Sequence, residues 1–210
     1  MDVHKFNPER RARLCSPERL RRLPPRKILQ RVGLKKGGVF VDIGCGTGFF
    51  SLPAAALVGR RGTVYGLDIS RPMLADMVSA ARKKRLPNIR PVLSAESGRG
   101  MPRGASLYFL ANVFHELNDK NSYLRLLHRR MSPESRLAIV DYHKRRTKHG
   151  PPVAHRVSRR QARSLLAAAG FRVVEAFTVN IEEYCLVAEK KSPDPNPLGR
   201  LGMTGSKSSS

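Results

Sequence analysis

The chain has 210 residues, 40% hydrophobic and 27% charged, with 40 Lys and Arg against 16 Asp and Glu, a net charge of +24. That length and apolar content suit one packed domain with an extension and exclude a wholly disordered chain. Cys15, Cys45 and Cys185 form neither a disulfide framework nor a metal-ligand spacing, no apolar run reaches the ~18 residues of a membrane span, and the start MDVHKFNPERRAR lacks a signal-peptide core, so a soluble, cytoplasmic, basic protein with no metal site is expected.

In chain order, Ser16-Pro17-Glu18 reads as an N-cap, a proline at the first helical position and an early acid. That helix is cut short by Pro24-Pro25, and a second runs from Pro25 to Val32 before Gly33. Strands are expected at 39–43, 63–68, 89–93, 107–110 and 136–141, each a short apolar run bounded by turn residues. Between them, helices are expected at 49–58, at 71–85 capped by Ser70, and near 119–131. Pro53 is tolerable only in a first turn. Ser158 and Gln161 form a capping box for a helix that ends at Gly170. Two strands, about 172–178 and 183–189, follow without an intervening helix and can form an antiparallel hairpin. Alternating strands and helices give an α/β fold with a mostly parallel sheet. The organisation expected is a basic helical extension or lid at 1–36, a main domain at 37–191 and a disordered Pro-, Gly- and Ser-rich tail at 192–210. His4 and Phe6 are candidates for the lid.

The charge is spread over the folded part, at net +9 in residues 1–36 and net +7 in residues 143–191. It favours anionic partners, nucleic acid included. Aromatic residues make up only 6%, with no Trp, which supplies a poor platform for stacking bases.

The most informative motif is Asp42-Ile43-Gly44-Cys45-Gly46-Thr47-Gly48, between the first strand and the next helix. Glycines there let the backbone turn tightly and approach a ligand without a Cβ in the way. Asp68 ends the second strand, where a carboxylate can accept both hydroxyls of a ribose. A dehydrogenase fingerprint needs a third glycine at 49, which is Phe49, and a P-loop lacks its Gly-Lys-Ser/Thr. Candidates for chemistry follow the later strands, where open α/β sheets place ligands: Asn112, His115 and Glu116, then Asp141 and His143, then His155 and Arg156. His115 is the first choice for a base. Arg156 is a candidate for gripping an anionic group in a bidentate pair.

VDIGCGTG followed by VYGLDIS resembles the first motif and acidic loop of class I S-adenosylmethionine-dependent methyltransferases, over roughly residues 37–190. HKFNPE, SPERLRRLPPRKIL, NVFHEL and DYHK…GPPVAHR resemble the small methyltransferases near the quinone-biosynthesis and arsenite methyltransferase types. The resemblance implies a Rossmann-like seven-stranded sheet with helices on both faces and an antiparallel C-terminal hairpin. It implies S-adenosyl-L-methionine as cofactor and a small-molecule acceptor, which could be anionic. It further implies that Gly44, Gly46 and Gly48 pack against the cofactor, with Cys45 a small packing residue inside the motif and Asn112 also among the cofactor-binding residues. Asp68 would hold the ribose, Ile69 and Ala95-Glu96 would flank the adenine, and Asp42 would orient the loop or the cofactor's amino group. The chain departs from the family at Ala105-Ser106-Leu107-Tyr108, Met131-Ser132-Pro133-Glu134-Ser135 and Leu93-Ser94-Ala95-Glu96, which leaves the acceptor open. NVFHEL lacks the N-P-P-aromatic turn of enzymes that methylate base amino groups. Methylation of RNA or another polyanion, and a cofactor-binding module without catalysis, remain as alternatives.

Overall fold

The computed structural model describes residues 16–95, 97–98 and 100–191. His4, Phe6, Cys15, Glu96 and the segment from 192 lie outside them. Six helices and seven strands are found among the described residues: α1 Pro17–Arg22, α2 Pro25–Arg31, β1 Val39–Ile43, α3 Ser51–Val58, β2 Thr63–Asp68, α4 Arg71–Lys83, β3 Ile89–Leu93, β4 Leu107–Ala111, α5 Lys120–Arg130, β5 Arg136–Tyr142, α6 Arg159–Ala168, β6 Phe171–Thr178 and β7 Glu183–Lys190.

The strands form one sheet in the order β3-β2-β1-β4-β5-β7-β6. The first five pair in parallel, and β7 runs antiparallel to both β5 and β6. The order reverses at β1, whose neighbours are β2 and β4. In a sheet of this kind the crevice outside the carboxyl ends of those strands is where a ligand sits.

Alternation along each strand divides the core in two. Phe40, Val64, Phe109, Val140 and Val187 face one side with Ile28 and Leu29 of α2, Ala54 and Val58 of α3, and Met77 of α4. Val41, Leu110, Ile139 and Leu186 face the other with Leu124 and Leu127 of α5 and Leu166 of α6. The sheet is thus covered on both faces, which is why its central strands read as unbroken apolar runs.

Local chemistry sets the element ends. Ser16 accepts the Arg19 N–H, Ser70 caps α4, Asp119 accepts the Ser122 N–H, and the Ser158–Gln161 capping box closes in both directions. The helix expected from 49 begins at Ser51, which puts Pro53 in its first turn. The boundary expected at 36 is not a structural break. Leu23, Ile28, Leu29 and Val32 are buried in the same cluster as β1 and α3. Of the two helices in the described extension, α1 carries no buried side chain of its own, whereas α2 buries Pro25, Ile28 and Leu29.

Candidate active site

A cavity of about 1500 Å³ opens at the carboxyl ends of β1 and β4. One half is built on the turn after β1. The Gly44 and Cys45 N–H groups donate to the Leu67 carbonyl at 2.8 and 2.9 Å, tying the turn to the end of β2. Asp68 completes the brace, its carboxylate accepting the Gly46 N–H at 2.8 Å and the Ser70 N–H at 2.9 Å. Burial raises the Asp68 pKa, and these N–H groups work against it. Asp42 is only 2% exposed and accepts the Ser51 hydroxyl at 2.5 Å. Burial pushes its pKa up to about 7 despite that bond. Burial likewise lifts the Cys45 thiol well above its usual range, which makes it a packing group and not a thiolate nucleophile.

The other half lies after β4 and β5. Asp141 is fully buried at the end of β5. Its carboxylate accepts the His115 N–H at 2.9 Å and the Tyr142 N–H at 2.7 Å, and lies 2.7 Å from His115 Nδ1. An acceptor on Nδ1 places the proton there and leaves Nε2 with its lone pair. His115 is 4% exposed, lines the cavity, and has Glu116 Oε1 3.7 Å from Nε2. Tyr142 lines the cavity too, and burial holds its hydroxyl above the ordinary phenol range.

Helix α1 and the loop 143–151 close this end. Arg19 stacks over Phe49 with its guanidinium carbon 4.2 Å from the ring centroid. Arg22 pairs with Glu183 and lies 3.1 Å from Glu182. Glu18 bridges to Lys148 at 3.0 Å and His149 at 3.2 Å, and His149 Nδ1 is 2.9 Å from Glu182. α1 is thus latched across the cavity mainly by charge.

Residues 34–170 match the methyltransferase-domain family. A crystal structure of an S-adenosylmethionine-dependent methyltransferase from Aquifex aeolicus superposes with a TM-score of 0.83 at 31% identity, over 88% of this chain and 98% of that one. The chain belongs to the S-adenosylmethionine-dependent methyltransferase family.

Among curated relatives, the nocamycin O-methyltransferase of Saccharothrix syringae is 34% identical over 38% of this chain and 29% of its own length. A demethylmenaquinone methyltransferase from Geobacillus sp. is 34% identical over 30% of this chain and 26% of its own. The chain therefore spans under a third of these curated relatives.

The family cofactor is S-adenosylmethionine, and the residues present fit it. Asn112 Oδ1 is buried at the cavity wall without a hydrogen-bond partner, as a group awaiting a ligand donor would be. Asn112 also holds a left-handed backbone at φ +59°, a conformation that exposes strain at functional turns. Asp42 and Asp68 at the cavity wall supply acceptors for an ammonium group and a diol.

The structure brings most of the expected residues together. Asp42, Gly44, Cys45, Gly46, Asp68, Ile69, Ala95, Asn112, His115 and Glu116 all line the cavity. Gly48 does not. A Cβ there would lie 2.8 Å from Met77 Cγ, so this glycine admits α4, not a ligand. Gly44 lines the cavity but is required by the protein as well, since its Cβ would fall 2.4 Å from a Val113 methyl at φ +69°.

His143 and His155 are not among the residues lining the cavity. His143 packs its ring on Tyr184, and His155 ends a short 3₁₀ turn. Arg156 also departs from expectation. It is 4% exposed and donates to the carbonyls of Pro151, His143, Arg145 and His149 and to Thr147 Oγ1. With all three of its nitrogens bonded to the loop 143–151, it shapes that loop, and it is not among the residues lining the cavity.

Sequence reasoning missed the pairing of His115 with Asp141, and it missed Ser51, Tyr142, Arg22 and His149. The pair joins residues 26 apart in the chain and exists only because β4 and β5 are neighbours. A signal existed for Ser51, a polar residue opening an otherwise apolar helix nine residues after a buried acid.

Proposed function

We propose that the protein transfers a methyl group from S-adenosylmethionine to a small-molecule acceptor, with His115 taking the acceptor's proton. The observation that carries this reading is His115, held by the buried Asp141 and placed in the wall of the same cavity as the Gly44–Gly46 turn. The bound cofactor supplies a methyl carbon already activated on a sulfonium.

The chain's own residues account for the rest. Asp68 holds the ribose hydroxyls while remaining braced by backbone N–H groups. Asp42 receives the amino group, whose positive charge offsets the cost of ionising a buried carboxylate. His115 Nε2 removes the proton, and Asp141 orients the imidazole and stabilises the imidazolium that results. Glu116, at 3.7 Å from Nε2, adds to that stabilisation. Tyr142 stays protonated and can donate to the acceptor. α1 excludes water from the mouth.

The names nocamycin O-methyltransferase and demethylmenaquinone methyltransferase denote small organic acceptors, which supports the same class here. A cytoplasmic setting fits the free, buried Cys45 and Cys185.

The test is a screen of small organic acceptors with methyl-labelled S-adenosylmethionine. His115→Ala should lower turnover by about 10²–10⁴ while cofactor affinity stays unchanged. Cofactor binding with no turnover on any acceptor, and no loss of function when His115 is replaced, would leave the cofactor-binding module without catalysis as the better reading; turnover indifferent to His115 would remove His115 as the base.

A further inference from the structure

We propose that the loop 143–151 and the turn between β6 and β7 form a docking surface for an anionic lipid membrane. The loop is shaped from within. The buried Arg156 guanidinium donates to four carbonyls and one hydroxyl and so fixes the backbone from His143 to Pro151. The side chains this presents outward are Lys144, Arg145 and Arg146, all exposed.

Among the described residues none of Lys144, Arg145, Arg146 or Arg159 has a carboxylate partner. The nearby acids are committed elsewhere, Glu18 to Lys148 and His149, and Glu182 and Glu183 to Arg22. Arg159 at the start of α6 extends the same face. Its charge and that of Arg145 both lower the pKa of His143, after the larger effect of burial.

An apolar side chain sits among these charges. Ile181 is 77% exposed, and its carbonyl accepts a hydrogen bond from Arg145 Nη2 at 2.6 Å. Cations around a projecting aliphatic group match a bilayer surface, where the head groups take the charge and the acyl boundary takes the side chain. A nucleic acid would use the cations but gains little from Ile181, and among the described residues no aromatic ring is among the exposed large hydrophobic residues. The face also borders the active site, because Lys148, 78% exposed, lines the cavity together with His149, Gly150 and Pro151. An acceptor dissolved in the bilayer would meet the cavity at this edge.

The test is sedimentation of the full chain with vesicles of phosphatidylglycerol and phosphatidylcholine, and of phosphatidylcholine alone. Binding is expected to the anionic vesicles and to weaken with salt. Each cation near such a surface strengthens binding about fivefold, so Lys144→Gln with Arg146→Gln should weaken it about 25-fold. Ile181→Ser should weaken it about tenfold. Arg82→Gln with Lys83→Gln, the same charge change at the end of α4, should leave it nearly unchanged.

No binding to anionic vesicles, equal binding to neutral ones, or an equal loss in the α4 pair would overturn the proposal. So would an Ile181→Ser variant that binds vesicles as the wild type does. Tighter binding to polyuridylate than to vesicles, weakened by the Lys144 and Arg146 changes, would reassign the face to nucleic acid. Vesicle binding needs neither cofactor nor acceptor, so its outcome is independent of the methyl-transfer reading.

Discussion

Asp141→Asn changes one atom of the buried pair and should disable it. In the wild type both carboxylate oxygens accept, one from the His115 N–H at 2.9 Å, the other from Nδ1–H and the Tyr142 N–H at 2.7 Å each. An asparagine has one oxygen for these two positions. If its oxygen faces Nδ1 and Tyr142, its amide meets the His115 N–H donor to donor. If the amide is turned, it meets the Tyr142 N–H and donates to Nδ1, which drives the imidazole proton to Nε2 and removes the base. The first arrangement leaves a buried N–H unpaired, at about 1–3 kcal/mol of stability. The second abolishes general-base assistance, about 10²–10⁴ in rate. The assays are denaturant unfolding, turnover on an acceptor found by screening, and ¹⁵N spectra of the His115 ring, which need no acceptor. A wild-type ring protonated at Nε2, or a variant that is both as stable as wild type and within a few-fold of its turnover, would refute the reasoning.

Asp42 should impose a pH dependence on stability. With its folded pKa raised to about 7, the native state keeps a proton that the unfolded chain releases from about pH 4, so stability falls as pH rises across that window and levels off above it. The full span is about 4 kcal/mol if the shift is fully expressed, and denaturant unfolding of Asp42→Asn against wild type should show that slope removed; parallel profiles would contradict it. Gly44→Ala places a Cβ 2.4 Å from a Val113 methyl in a left-handed backbone. It should lower stability by about 1–3 kcal/mol and abolish cofactor binding, read by thermal melting with and without S-adenosylhomocysteine. Arg156→Met should destabilise by about 3 kcal/mol or more, because several buried acceptors lose their donor at once; a stable variant with only a raised KM would restore Arg156 as an acceptor-binding group.

What the sequence reveals follows the range of the interactions. Strands β1, β2 and β3 match the expected 39–43, 63–68 and 89–93, since each is a short apolar run closed by turn residues. The caps at Ser16, Ser70 and Ser158 were legible because capping is decided within four residues. The half of the cavity proposed for the cofactor was legible for the same reason, as Asp42 to Gly46 form one turn and Asp68 closes the adjacent strand. The half proposed for the acceptor depends on strand order and loop packing, which no local pattern reports. His115 meets Asp141 through the β4–β5 pairing, α1 meets His149 through Glu18, and Arg156 turns inward to the loop before it. Gly48 shows the limit of the motif itself, since its spacing is that of a ligand turn while its lack of a Cβ serves Met77.

The most direct test of the central claim is calorimetric titration of folded, nucleic-acid-free protein with S-adenosylmethionine and S-adenosylhomocysteine, beside an Asp68→Ala variant shown to be folded by circular dichroism. The account predicts one ligand per chain for the wild type and loss of binding in the variant, because Asp68 braces Gly46 and is the residue proposed to hold the ribose. Absence of binding to either ligand, or binding that Asp68→Ala leaves intact, would contradict it.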